Sequence, residues 1–124
     1  MRLADANSGL AFRAGSNEIS AMHYLLFYEV AENYAERRKP YRADHLALAE
    51  QCVARGEMVL AGALADPIDG AVFLFQGSSA AAAEAFAQQD PYVLNGLVKS
   101  WRVRMWPTVV GPGAATPLSS AAFR

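Results

Sequence analysis

His45 and Asp90 are the residues of this 124-residue chain whose types best suit chemistry. Imidazole is the unperturbed side chain that titrates near neutrality, so His45 suits a group that takes a proton and returns it during turnover. A carboxylate complements it: set against one ring nitrogen, Asp90 would fix the histidine tautomer and stabilise the protonated ring, as an orienting acid does in a catalytic triad. That partnership requires the fold to bring Gln88-Gln89-Asp90-Pro91-Tyr92, at the end of one helix, close to Asp44-His45-Leu46-Ala47, near the start of another. Each residue also has an ordinary reading. A histidine beside leucine is commonly structural, and an Asp before Pro commonly ends a helix and bonds nearby backbone amides.

Three other side chains qualify as substrate-binding candidates. Arg42, three residues before His45, could attract an anionic substrate or lie solvated on its helix; Tyr92 could line a pocket or anchor the turn; His23, at a strand start, could face a cavity between two sheets. Asp44, Asp66 and Asp69 read as a helix-start residue and turn residues. Two histidines and one cysteine show no ligand spacing of a known kind, so no metal is expected. With no glycine-rich phosphate loop and no dinucleotide fingerprint, no cofactor is expected either. Trp101 and Trp106 lie five positions apart, on opposite faces of a strand, and read as core and interface residues.

The elements that must position these groups follow from composition and period. A hydrophobic content of 53% over 124 residues is ample for one core and one domain. A net charge of -1 with scattered charges lacks the basic footprint of a nucleic-acid binder. No stretch approaches the roughly 20 apolar residues of a membrane span, and the lone Cys52, unable to pair internally, fits a reducing, cytoplasmic setting. Residues 1–20 read as a flexible extension, 21–109 as the folded domain, and 110–124, opening on Gly-Pro-Gly, as a flexible tail.

Within the domain, 22–30 is a strand with both faces largely apolar: His23, Leu25, Phe27 and Glu29 on one, Met22, Tyr24, Leu26 and Tyr28 on the other. A helix is predicted from Pro40 to Arg55, stopped by Gly56, with Leu46, Ala49 and Val53 as its apolar stripe and Leu48 and Cys52 widening it. Strands at 58–64 and 71–76 flank the turn Asp66-Pro67-Ile68-Asp69-Gly70. A second helix, capped by Ser78 or Ser79 with Ala82, Ala85 and Phe86 inward, ends by Asp90 because Pro91 disfavours helical geometry before it. A last strand runs from Val98 to Trp106. The order β-α-β-β-α-β is the ferredoxin-like α+β motif, an antiparallel sheet with both helices on one face. Its other face then needs a cover, and the apolar patterning there predicts a homodimer joined through the open sheet.

In order and spacing, several segments resemble the YCII-related family: Met22-His23-Tyr24-Leu25-Leu26-Phe27, then Arg38-Lys39-Pro40-Tyr41-Arg42-Ala43-Asp44-His45-Leu46, Leu60-Ala61-Gly62-Ala63, the Asp69-Gly70 turn, Asp90-Pro91-Tyr92-Val93 with Gly96-Leu97, and Val103-Arg104-Met105-Trp106. The resemblance implies a dimeric α+β barrel and a His45–Asp90 pair. It also implies a small enzyme doing cofactor-independent proton transfer, isomerisation or elimination on a small, cyclic or aromatic organic substrate. A non-catalytic small-molecule-binding or accessory dimer, and a cofactor-free monooxygenase on the same barrel, stand beside that reading.

Overall fold

The computed structural model describes residues 21–118, so the expectations placed on 1–20 and on 119–124 lie outside the described residues. The order is β1 (Met22–Val30), α1 (Tyr34–Arg37), a 3-10 turn (Lys39–Tyr41), α2 (Arg42–Ala54), β2 (Met58–Leu64), β3 (Gly70–Gly77), α3 (Ala81–Gln89), α4 (Pro91–Leu94) and β4 (Val98–Trp106). All strand pairings are antiparallel and the sheet order is β2-β3-β1-β4. This is the predicted ferredoxin-like α+β fold, with two one-turn helices, α1 and α4, that the periodicity does not announce.

Strand alternation sorts the sheet into two faces. Tyr24, Leu26 and Tyr28 on β1, Ala71, Phe73 and Phe75 on β3, and the half-buried Trp101 and Val103 on β4 turn toward the helices and form the core with Phe86, Tyr92 and Leu97. The opposite face carries Leu25 and Phe27, paired with Leu74 and Val72 on one side and with Arg104 and Arg102 on the other. The Arg102 guanidinium lies 4.5 Å from the Phe27 ring centroid, so this largely apolar face is bordered by cations on its β4 side.

Both long helices are rotated from their predicted stripes. In α2 the buried positions are His45 and Cys52 with Leu48 and Ala49 half-buried, while Leu46 and Val53 are exposed. In α3 they are Ala83, Phe86 and Ala87, with Asp90 one residue past the end. Each set has the i, i+3, i+4, i+7 spacing of one helical face. The apolar residues alone mislead because a polar residue occupies one inner position in each set. The predicted start of α2 at Pro40 is also early: Pro40 sits in the 3-10 turn, and α2 begins at Arg42. The expected serine cap of α3 is displaced: Ala80 holds the cap position without a side-chain cap bond, and Ser79, one residue earlier, accepts from the Ala81 amide at 3.2 Å.

Gly56 and Gly96 end α2 and α4 in the same way. At Gly96 (φ +78°) the Gly96 amide donates to the Val93 carbonyl and the Leu97 amide to the Tyr92 carbonyl; at Gly56 (φ +79°) the Gly56 and Glu57 amides donate to Val53 and Cys52. These paired bonds are the Schellman closure, which needs a left-handed residue. Beyond β4 no regular element forms among residues 107–118, yet that segment turns back on itself. The Thr116 amide donates to the Thr108 carbonyl at 2.9 Å and the Leu118 amide to Val109 at 3.2 Å.

Two glycine substitutions should separate backbone strain from steric room. A Cβ at Gly96 meets only the Arg37 side chain, at 4.0 Å, so Gly96→Ala is expected to cost about 1 kcal/mol through its left-handed φ alone. At Gly62 nothing lies within 4 Å, and Gly62→Ala is expected to be neutral or to stabilise by about 0.5 kcal/mol. Urea denaturation midpoints check both, and equal losses at the two sites would contradict the assignment.

Candidate active site

Pro91 organises the site. Its ring disfavours helical geometry in the residue before it, so Asp90 adopts an extended backbone (φ -66°, ψ 124°), ends α3 and becomes the N-cap of α4, with Pro91 in the first turn. As a cap, the Asp90 side chain accepts from the Tyr92 amide at 3.0 Å. The ordinary reading of Asp90 is therefore correct, but it uses only part of the carboxylate. Asp90 is fully buried, and its oxygens also face His45 Nδ1 at 2.9 and 3.0 Å and accept from the Tyr28 hydroxyl at 2.5 Å.

Because a carboxylate only accepts, His45 Nδ1 carries the hydrogen and donates it. The ring is held by three aromatic neighbours: parallel to Tyr92 at 3.8 Å and 5°, and edge-on to Phe73 and Phe86 at 6.1 and 5.9 Å. Among the described residues Nε2 has no hydrogen-bond partner, and it is not one of the enclosed unpaired atoms, so it opens onto the adjacent cavity. Burial, and after it the neighbouring Asp90, pushes the Tyr28 phenol far above its ordinary range, which keeps it a donor.

The cavity encloses ≈ 200 Å³ between α2 and the helix-side face of the sheet. On one side stand Arg38, Arg42, Tyr34 and Tyr92; on the other, Ala61 and Ala63 of β2 and Ala71 of β3 make a wall of small side chains. The Tyr92 hydroxyl is buried and lacks a hydrogen-bond partner among the described residues. Burial raises the Tyr92 pKa, opposed by the Arg42 guanidinium and, after it, by Arg38. Tyr34 is likewise raised by burial and opposed by Arg38, whose guanidinium lies 5.3 Å from its ring centroid. Among the described residues no three His, Cys, Asp or Glu side chains converge as a metal site would require, and no helix is long and apolar enough to cross a membrane.

Of the residues singled out in the sequence, His45, Tyr92 and Arg42 thus line one cavity, with Asp90 buried behind His45. His23 does not: it lies on the opposite face of the sheet, where Nδ1 contacts the Thr108 hydroxyl at 2.6 Å and its partners across the sheet are Gln76 and Trp106. Sequence reasoning missed Tyr28, Tyr34 and Arg38. Tyr28 left a signal, since a tyrosine on the buried face of a strand needs a partner for its hydroxyl. Arg38 precedes Arg42 by one helical turn's worth of chain, but the 3-10 segment between them hides the spacing.

The sheet order and the one-sided helices define the class: a ferredoxin-like α+β domain. The pattern of the YCII-related domain matches residues 22–107, well over half of the chain, and the chain belongs to that family. No functionally curated protein matches it. Among solved structures it is similar to 5-chloro-2-hydroxyhydroquinone dehydrochlorinase from Burkholderia phenoliruptrix in complex with 2,5-dihydroxybenzoquinone. There the TM-score is 0.61 and the identity 20%, over 70% of this chain and 95% of that one. It is also similar to a putative antibiotic biosynthesis monooxygenase from Bacteroides thetaiotaomicron, with a TM-score of 0.50 and 17% identity over 76% and 93%. At these identities the likeness is one of fold.

Asp90→Asn tests the geometry. An amide opposite Nδ1 can present its NH2 there, so the His45 hydrogen is expected to move to Nε2, read as a change in the imidazole nitrogen shifts by NMR. Unaltered shifts would show that Asp90 does not set the tautomer. Tyr28→Phe leaves a buried carboxylate short of one donor and is expected to cost about 1–3 kcal/mol in urea denaturation.

Proposed function

We propose that the protein is a cofactor-independent acid/base enzyme acting on a small, cyclic or aromatic organic substrate, with His45 as base and Asp90 as its positioning residue. The observation that carries this reading is the His45 ring itself. One nitrogen is spent on a buried carboxylate, the plane is clamped by Tyr92, and the remaining nitrogen is turned to a cavity of single-ring capacity.

In this reaction Nε2 removes a proton from carbon, and the C–H electron pair moves into a new double bond. In an elimination the pair expels a leaving group as an anion, and imidazolium later releases its proton to solvent; in an isomerisation the same proton is returned at another carbon. Asp90 stabilises the imidazolium formed in between. Tyr28 and the Tyr92 amide hold Asp90 in place. The shared fold with a dehydrochlorinase, whose name denotes such an elimination, supports the reading.

The same reading includes a homodimer through the open face of Leu25, Phe27, Val72 and Leu74, which in the isolated chain leaves apolar sheet surface uncovered. Light scattering during gel filtration is expected to give twice the 13.4 kDa chain mass; a single-chain mass at micromolar concentration would sink this part. A reducing, cytoplasmic location is consistent with Cys52, buried and with its thiol pKa raised by that burial.

Catalysis is checked by NMR, following deuterium uptake from solvent and halide release across a panel of enolisable cyclic ketones and halogenated hydroxy-aromatics. Turnover by the native protein is expected to fall by about 10²–10⁴-fold in His45→Ala. Equal rates in native and variant protein, or no turnover anywhere in the panel, would overturn the reading in favour of a binding module.

A further inference from the structure

The cavity wall opposite the alanines is more than a container, and its chemistry points to the charge of what it holds. Arg38 and Arg42 both line it, and among the described residues no carboxylate lies within ion-pair distance of either. The acids nearest in sequence are engaged elsewhere or exposed: Glu36 pairs with Lys39 at 3.0 Å, and Asp44 is exposed on α2. Tyr92 lines the same cavity, and its hydroxyl is a buried donor with no acceptor in the described residues. Buried polar groups are seldom left unpaired, since the loss of hydration is not recovered. Two guanidinium groups, one from the half-buried Arg38 and one from the exposed Arg42, and a phenol whose hydrogen has no acceptor converge on one small cavity, and a negatively charged acceptor would complete them.

The base lies within the same cluster, because Tyr92 stacks on His45 at 3.8 Å. The two rings lie face to face in parallel planes, and both line the cavity that Arg38 and Arg42 also line. Size narrows the occupant. Pockets for drug-sized ligands run from about 300 Å³ upward, and ≈ 200 Å³ admits little more than one ring.

We propose that this cavity binds small organic anions, with one negatively charged oxygen, as carboxylate or enolate, held by Arg38, Arg42 and the Tyr92 hydroxyl beside His45. The proposal rests on the acid/base reading of the site and adds its substrate class. It also assigns a chemical consequence: negative charge that develops on a substrate oxygen when carbon loses its proton falls where the arginines and Tyr92 already point.

The probes are benzoate and acetoacetate against their neutral amides, titrated into the full chain and followed by calorimetry and by the Tyr92 and His45 ring signals in NMR. At least one carboxylate is expected to bind about tenfold or more tightly than its amide. That preference should be lost in the Arg38→Gln/Arg42→Gln double variant and largely kept in the Arg38→Lys/Arg42→Lys pair; circular dichroism verifies that the variants fold. The preference should persist in His45→Gln, because it does not depend on the base. Amides binding as well as carboxylates, no saturable binding of any probe at millimolar concentration, or an undiminished preference in the double glutamine variant would each overturn the proposal. Anion binding without turnover would instead remove only the catalytic reading, and turnover of neutral compounds with no anion preference would remove only this one.

Discussion

A carboxylate with no exposure to water is the constraint around which this fold is arranged. Burying Asp90 costs several kcal/mol unless its lone pairs are met by donors, and the donors come from three separate elements: Tyr28 on β1, His45 on α2 and the Tyr92 amide of α4. Meeting that need fixes the depth of β1 against α2 and the position of the short helix that carries Asp90 itself. The aromatic groups that shield the carboxylate are also those that hold the imidazole, so the stability of the centre and the geometry of its histidine have a single cause. The pair is weak evidence for overall stability, but it is a strong specifier of arrangement.

The helix α4 is small for the task it performs. Four residues are enclosed between an Asp-Pro start and a Gly96 closure that brings Leu97 back beneath Tyr92, and both Tyr92 and Leu97 are almost fully buried. An isolated single turn has no stability of its own, since helix nucleation is unfavourable. Here the first amides are met by a side chain, the last carbonyls by the closing bonds, and one apolar face by the core. Local chemistry that reads as simple punctuation in the sequence is thus the mount for a buried ring and a buried carboxylate.

How far the sequence speaks follows from the same residues. The strands were legible because aromatic and branched residues alternate between turn signals, and β1, β2 and β4 fall where that pattern puts them. The helix faces were not, because the apolar period runs through Leu46, Ala49 and Val53 and through Ala82 and Ala85, while His45 and Asp90 hold inner positions. A polar residue that belongs inside looks like a break in an apolar stripe. His45, Asp90, Tyr92 and Arg42 were legible as candidates from residue type and family spacing, yet their meeting depends on contacts 45 or more positions apart that no local pattern encodes. Tyr28, Tyr34 and Arg38 were hidden because each looks like an ordinary member of its element. His23 lies on the open face of the sheet, away from this cavity, where only a second sheet could enclose it.

The alanine wall has a consequence for how such a scaffold can diversify. Ala61 and Ala63 belong to β2, an edge strand, and are exposed, whereas the His45–Asp90 assembly is anchored on β1, α2 and α4. Enlarging a wall residue alters the shape of the cavity without disturbing a hydrogen bond to the carboxylate, and at an exposed edge position it places little stability at risk. Inheritance can therefore treat the two halves as separable modules, keeping the proton-handling half constant while the edge strand drifts to suit new molecules.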